Sequence, residues 1–147
     1  MKLSQHFSIE EFTASDTADR KGIDNTLPDG LLATARETAE MMERIRESLG
    51  GKPIIVTSGY RSPELNRAIG SGDSSDHPKA MAVDFKCPEF GTPYAVAQHL
   101  APLVSVLGIG QLIYEHTWIH ASTRPSDKII NRILTVRGKG YEAGINA

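Results

Sequence analysis

From Asp29 to Leu49 the apolar residues Leu32, Ala35, Ala39, Met42, Ile45 and Leu49 recur every three or four positions. That period puts them on one stripe of an amphipathic helix. Gly50-Gly51 closes it, because glycine enters the left-handed conformation that ends helices at little cost. It is the strongest local pattern in the chain, and the segments around it decide the fold class. Ser8 with Glu11 three residues on forms a capping box for a short helical turn over residues 7–12. After Pro53 the β-branched run Ile54-Ile55-Val56-Thr57 predicts a strand ending at Ser58-Gly59. Ser62-Pro63-Glu64 starts a short helix that ends at Gly70, and residues 70–79 are loop by composition.

Met81 to Phe85 alternates as a strand with one apolar face. Thr92-Pro93 opens a helix through about residue 107 that Pro102 must kink or split. Residues 111–115, 118–122 and 130–136 read as three further strands. Helices and strands alternate first and strands adjoin at the end. This order predicts an α+β fold with a mainly antiparallel sheet flanked by helices, not a doubly wound parallel sheet. No repeat or low-complexity linker interrupts the chain, so residues 1–147 are expected to form a single domain.

Hydrophobic residues make up 39% of the chain and charged residues 23%, with a net charge of −2 and the two signs interspersed. Nothing in that balance favours nucleic acid or an anionic membrane as partner, and a monomer is expected. Lys128, Arg132, Arg137 and Lys139 gather near the C-terminus and read as a solvated face. No stretch approaches the roughly 20 apolar residues of a membrane span. The first residues, Met1-Lys2-Leu3-Ser4-Gln5-His6, lack the apolar core of a signal peptide. The chain is therefore expected to be made in the cytoplasm without an export signal of its own. Its one cysteine, Cys87, rules out an intramolecular disulfide. Alternation puts Cys87 opposite Asp84, as a buried, inert thiol.

Of the five histidines, His6, His99 and His116 carry no functional signal. His77 lies in a Gly/Ser/Asp loop, where backbone can aim a side chain. Seven residues later Asp84 interrupts the apolar strand, facing with Ala82 and Lys86 and opposite Val83 and Phe85. An acid there is costly without a partner. It either turns to solvent, pairs with Lys86 or Arg61, or belongs with His77 to a site. If His116-Thr117 is a two-residue turn, Glu115 lies opposite Trp118 and Ile113 opposite His120. Glu115, Trp118 and His120 then share a face, with Glu115 diagonal to His120 at roughly 7–8 Å. A three-residue turn reverses that parity. The spacing of His116 and His120 matches a helical His-Glu-x-x-His zinc site, but Thr117 stands where the glutamate belongs, and Thr-Trp-Ile favours strand. Two histidines and a carboxylate leave one zinc position open for water, the catalytic arrangement.

Three fragments occur together: Ser58-Gly59-Tyr60-Arg61-Ser62-Pro63-Glu64-Leu65-Asn66, then Ser75-x-His77 with Asp84 seven after the histidine, then Trp118-Ile119-His120. The chain resembles, over about residues 4–123, the zinc D-alanyl-D-alanine peptidases, carboxypeptidases and endopeptidases of bacterial cell walls found in bacteria and bacteriophages. The opening Ser4 to Phe12 looks like the phage-type branch. The resemblance implies that His77, Asp84 and His120 are zinc ligands, that Arg61 stabilises the developing oxyanion or substrate carbonyl, and that Ser75 helps seat the substrate. It also implies that Glu115, five before the last ligand, is the catalytic acid/base. Other branches carry a carboxylate three before that histidine, where this chain has Thr117. Ala80 stands where many members have glycine.

The expected function is zinc-dependent hydrolysis of peptidoglycan stem or cross-bridge peptides at or beside a D-amino acid, as a phage lysis or virion enzyme acting on the wall. The alternatives are a non-catalytic, zinc-stabilised module on the same fold that binds cell wall or protein, and a metal-free scaffold in which Asp84 pairs with Arg61.

Overall fold

A computed structural model describes residues 1–72, 74–123 and 132–147. The long apolar stripe forms a 3₁₀ turn at Asp29–Leu31 and then an α-helix at Leu32–Ser48. In order, the α-helices are α1 (Ile9–Thr13), α2 (Asp16–Lys21), α3 (Leu32–Ser48), α4 (Pro63–Ala68), α5 (Pro93–Leu100) and α6 (Val104–Leu107). The strands are β1 (Ile55–Ser58), β2 (Ala82–Lys86), β3 (Gln111–Tyr114), β4 (Ile119–Ser122), β5 (Arg132–Arg137) and β6 (Gly140–Ala143). Pro102 does split its helix: α5 and α6 are separated by a 3₁₀ turn at Ala101–Leu103. A proline there supplies no N–H for the i−4 ladder.

The strands form one six-stranded sheet in the order β1-β2-β4-β3-β5-β6. Every pairing is antiparallel except β3 with β5. The architecture is α+β with a mostly antiparallel sheet, as expected. Residues 124–131, between β4 and β5 in the chain, lie outside the described ones, and the expected start of the last strand at residue 130 falls among them.

One face of the sheet is core. Val83 and Phe85 of β2, Ile119 and Ala121 of β4 and Leu112 and Tyr114 of β3 pack with Ala35, Ala39, Met42 and Ile45 of α3. Burying an aliphatic side chain of this size contributes about 1.5–3 kcal/mol. Truncating Ile45, which has no exposed surface, to alanine costs about 2–5 kcal/mol. Cys87 lies in this core, as expected. The opposite face of the sheet carries the odd-numbered residues of β3 and the even-numbered residues of β2, β4 and β5, and it floors a cleft.

The N-terminal segment packs on the β1 side. Ser8 accepts from Glu11 N and the Glu11 carboxylate accepts from Ser8 N, so the capping box is complete. α1 then presses the Phe12 backbone onto Gly59: a Cβ on Gly59 would stand 2.6 Å from the Phe12 carbonyl oxygen. Only glycine fits that approach.

Candidate metal centre

Each side chain of the site is aimed by a different part of the fold. His77 begins the 3₁₀ turn His77–Lys79, after Ser75 Oγ accepts from the His77 backbone N–H at 3.2 Å. This turn ends on Ala80 at φ 59, in the left-handed region that glycine enters more readily than alanine. Thr38 of α3 lies with its hydroxyl 2.7 Å from the Ala80 carbonyl, tying the turn to the long helix. His77 Nδ1 lies 2.6 Å from the Gly59 carbonyl. A carbonyl only accepts, so Nδ1 carries the proton and Nε2 presents its lone pair.

Asp84 projects from β2 and His120 from β4, directly opposite each other in register. Asp84 Oδ1 stands 3.0 Å from His120 Nδ1 and 3.4 Å from His77 Nε2. Asp84 Oδ2 accepts from Arg61 Nη2 at 3.1 Å. The two oxygens thus have separate tasks, one facing the histidines and one held by the guanidinium. Asp84 is 5% exposed, His77 3% and His120 8%, which removes the solvent-facing reading of the aspartate. Pairing with Arg61 and belonging with His77 are both true.

The three residues form a buried group whose potential ligand atoms all lie within 4.8 Å of one another. Tetrahedral zinc with bonds near 2.0–2.1 Å has donor–donor edges of roughly 3.3 Å. The two measured edges bracket that value, and the donor chemistry is right: a carboxylate, a lone pair fixed by its tautomer, and a second imidazole nitrogen. The residues fit a zinc ion.

Charge is balanced within the group. Burial opposes the Asp84 carboxylate, but His77 and His120 outweigh it and hold the group well below the usual carboxylate range. Burial pushes His77 down, only partly offset by Asp84. Burial also acts to lower His120, yet the hydrogen bond and charge of Asp84 raise it overall.

Glu115 and Trp118 complete this face. Ile113 pairs with His120, and Glu115 N donates to the Trp118 carbonyl at 3.1 Å, so the turn has the two-residue form and the parity places Glu115 on the side of His120. Thr117 N donates to the Glu115 carbonyl at 2.7 Å around His116, whose φ is 67. Trp118 Nε1 donates to Glu115 Oε2 at 2.9 Å. Burial raises the Glu115 pKa, reinforced by the charge of Asp84 and opposed by His120, Trp118 and Arg61. Arg61 is gripped by three acceptors: Ser58 Oγ at 3.0 Å, Asn66 Oδ1 at 3.3 Å and Asp84. A guanidinium has five N–H groups, so it keeps donors for another partner.

All six residues singled out in the sequence line one cleft of about 700 Å³: Arg61, Ser75, His77, Asp84, Glu115 and His120. The peptidase M15 family matches residues 5–122 of the chain.

The chain belongs to that family. As an M15 peptidase it is a hydrolase of the zinc-dependent metallopeptidase type, and the buried His-Asp-His group is where such a metal could sit. No curated protein is similar to this peptidase in sequence at a significant level.

The remaining histidines stand apart, each with a partner of its own. His6 Nδ1 lies 2.7 Å from Glu43, His99 Nε2 is 2.8 Å from the Ser48 carbonyl, and His116 Nε2 is 2.8 Å from the Val136 carbonyl. His116 and His120 flank a turn and a strand, so the helical zinc spacing is not realised. Lys139 is exposed, in keeping with a solvated face, but Arg137 is half-buried and paired with Glu142, Arg132 lines the cleft, and Lys128 lies outside the described residues.

Three polar residues escaped sequence reasoning. Asn66 is buried, accepts from Arg61 and donates to the Gly72 carbonyl. Asn25 donates to the Thr13 and Tyr60 carbonyls and accepts from Ser62 N, clamping the loop that carries Arg61. Asp76, beside His77, accepts from the buried Ser122 hydroxyl at 2.9 Å. Asn66 had a signal, a polar amide inside a short helix that should bury one face.

Proposed function

We propose that this peptidase hydrolyses peptide bonds in bacterial peptidoglycan, in stem or cross-bridge peptides at or next to a D-amino acid, with zinc held by His77, Asp84 and His120. The observation that carries this reading is the cleft face itself. It sets a carboxylate of raised pKa, Glu115, and a preorganised guanidinium, Arg61, around a buried donor triad. A site that only stabilised the fold would gain nothing from either group. Zinc, when bound, polarises the scissile carbonyl and makes water acidic enough to lose a proton near neutrality.

Glu115 takes the proton from the attacking water as its oxygen bonds to the carbonyl carbon. Raising its pKa brings this carboxylate toward the pH at which a base can also act as an acid. As the C–N bond breaks, Glu115 passes that proton to the leaving amine. Arg61 offers N–H groups to the carbonyl oxygen as negative charge builds there. Its bonds to Ser58, Asn66 and Asp84 mean that little reorganisation is needed. Ser75 lies on the cleft wall beside His77 and seats the substrate backbone.

The peptidoglycan assignment is supported by the Ser58–Asn66, Ser75-x-His77 and Trp118–His120 fragments, which resemble the D-alanyl-D-alanine peptidases. Digesting purified peptidoglycan with the zinc-loaded protein and weighing the fragments by mass spectrometry tests it. New amine and carboxyl termini at D-alanine, abolished by chelator, are expected. An unchanged wall, with the protein still bound to it, would instead favour a non-catalytic binding module.

A further inference from the structure

The family match stops at residue 122, yet the cleft does not. β5 joins β3 in parallel, with Arg132 beside Gln111 and Leu134 beside Ile113, and β6 follows as an antiparallel partner with Tyr141 beside Val136. Side chains on neighbouring strands in register share a face. The chain thereby extends the cleft floor by two strands, and Arg132, Leu134 and Tyr141 all line it.

Tyr141 is 61% exposed, and Ile69 on the β1 side of the same cleft is 43% exposed. Large apolar side chains are left in water on both lips of a cleft whose centre is polar and charged. On the β5–β6 side the one charged lining residue among the described residues is a cation, Arg132.

Distances fix what could reach it. Two strand spacings separate β4 from β5, roughly 10 Å. An extended peptide advances about 3.3–3.6 Å per residue, so that span is about three residues.

Resting on the peptidase reading above, we infer that Arg132, Leu134 and Tyr141 form a distal subsite for a carboxylate-bearing residue of the substrate peptide, about three residues from the scissile bond. Arg132 supplies the counter-charge, and Leu134 and Tyr141 cover the apolar part of the same residue. Recognition would then lie on strands beyond the family match, while the chemistry stays within it.

The test uses zinc-loaded full-length protein and two synthetic peptides ending in D-alanyl-D-alanine. One carries free side-chain carboxylates and the other carries them as amides. Wild type is expected to show a lower KM for the carboxylate peptide. Arg132→Gln should raise that KM about tenfold, as loss of one charge-assisted hydrogen bond does, and make the two peptides equivalent. Arg132→Lys should restore part of the preference, and Tyr141→Ala should raise KM severalfold for both peptides. Equal KM values for the two peptides in wild type, or an unchanged preference in Arg132→Gln, overturn the subsite.

A second readout separates this inference from the hydrolysis it rests on. Trp118 is the one tryptophan of the chain and lines the cleft, so its fluorescence reports peptide binding. If neither peptide is cut, tighter binding of the carboxylate peptide that Arg132→Gln abolishes upholds the subsite and overturns only hydrolysis. Equal binding of the two peptides overturns the subsite itself.

Discussion

At one edge of the sheet β1 is wrapped by the N-terminal segment, with α1 in backbone contact with Gly59 and Asn25 clamping the loop after it. At the other edge β6 is exposed at every residue and β5 is only half-buried apart from Thr135. The covered edge holds Arg61 and, through the Gly59 carbonyl, the ring of His77. The bare edge offers Arg132 and Tyr141 to the cleft. Chemistry needs groups held to within fractions of an ångström; Arg61 has three acceptors, and the His77 ring is fixed by the Gly59 carbonyl. Recognition tolerates looser side chains and gains from exposure.

That contrast can be broken by substitution, beginning with the strongest effects. His77→Ala and Asp84→Ala should each abolish hydrolysis and leave less than stoichiometric zinc by elemental analysis. Full zinc in both variants would end the ligand assignment. Glu115→Gln should keep its zinc and lose about 10²–10⁴-fold in turnover, the usual contribution of a general acid/base. Normal turnover would move that role to another residue.

The covered edge is probed without touching the triad by Gly59→Ala. Its Cβ would meet Phe12 backbone, so the chain must shift, at about 1–3 kcal/mol by thermal unfolding. Because the His77 ring is steered by the same residue, zinc affinity should fall about 10–100-fold. A destabilised variant with unaltered zinc affinity would uncouple the edge from the site.

A smaller effect is expected from Trp118→Phe. The indole N–H stabilises the Glu115 carboxylate, and burial already holds that group above its ordinary value. Glu115 must be ionised to accept a proton, so activity rises with pH through its pKa. Removing the N–H raises that pKa further, and the acid limb of kcat/KM should move to higher pH. A shift downward contradicts the assignment. Smallest of all, Tyr141→Ser at the bare edge should change stability by less than about 0.5 kcal/mol.

Much of this was legible in the sequence because it depends on local spacing. The α3 stripe, the Ser8–Glu11 box and the break at Pro102 each involve neighbours along the chain. The placement of Glu115 rested on one count, two residues between paired strands, and the register agrees. What escaped was non-local. Asn25 reaches Tyr60 and Ser62, 35 and 37 residues away, and nothing near Asn25 marks it. Arg132 read as part of a solvated face because its neighbours are basic; the parallel pairing with β3 brings it to the cleft. The hairpin into β6 did leave a sign, Gly138 at φ 56 opening a Gly-Lys turn.

Ala80 has a consequence for how such proteins are found. Holding a non-glycine residue at φ 59 costs about 1–2 kcal/mol. Its methyl, 2% exposed and part of the core, returns about 0.8 kcal/mol. Alanine also restricts the unfolded chain relative to glycine, worth about 0.4–1 kcal/mol. These contributions nearly cancel, so descendants can drift between the two residues with little penalty. A glycine three positions after the first histidine is therefore a poor signature for the site. The carbonyl of Gly59, whose position no side chain can share with Phe12, is the constraint that lineages carrying this geometry should keep.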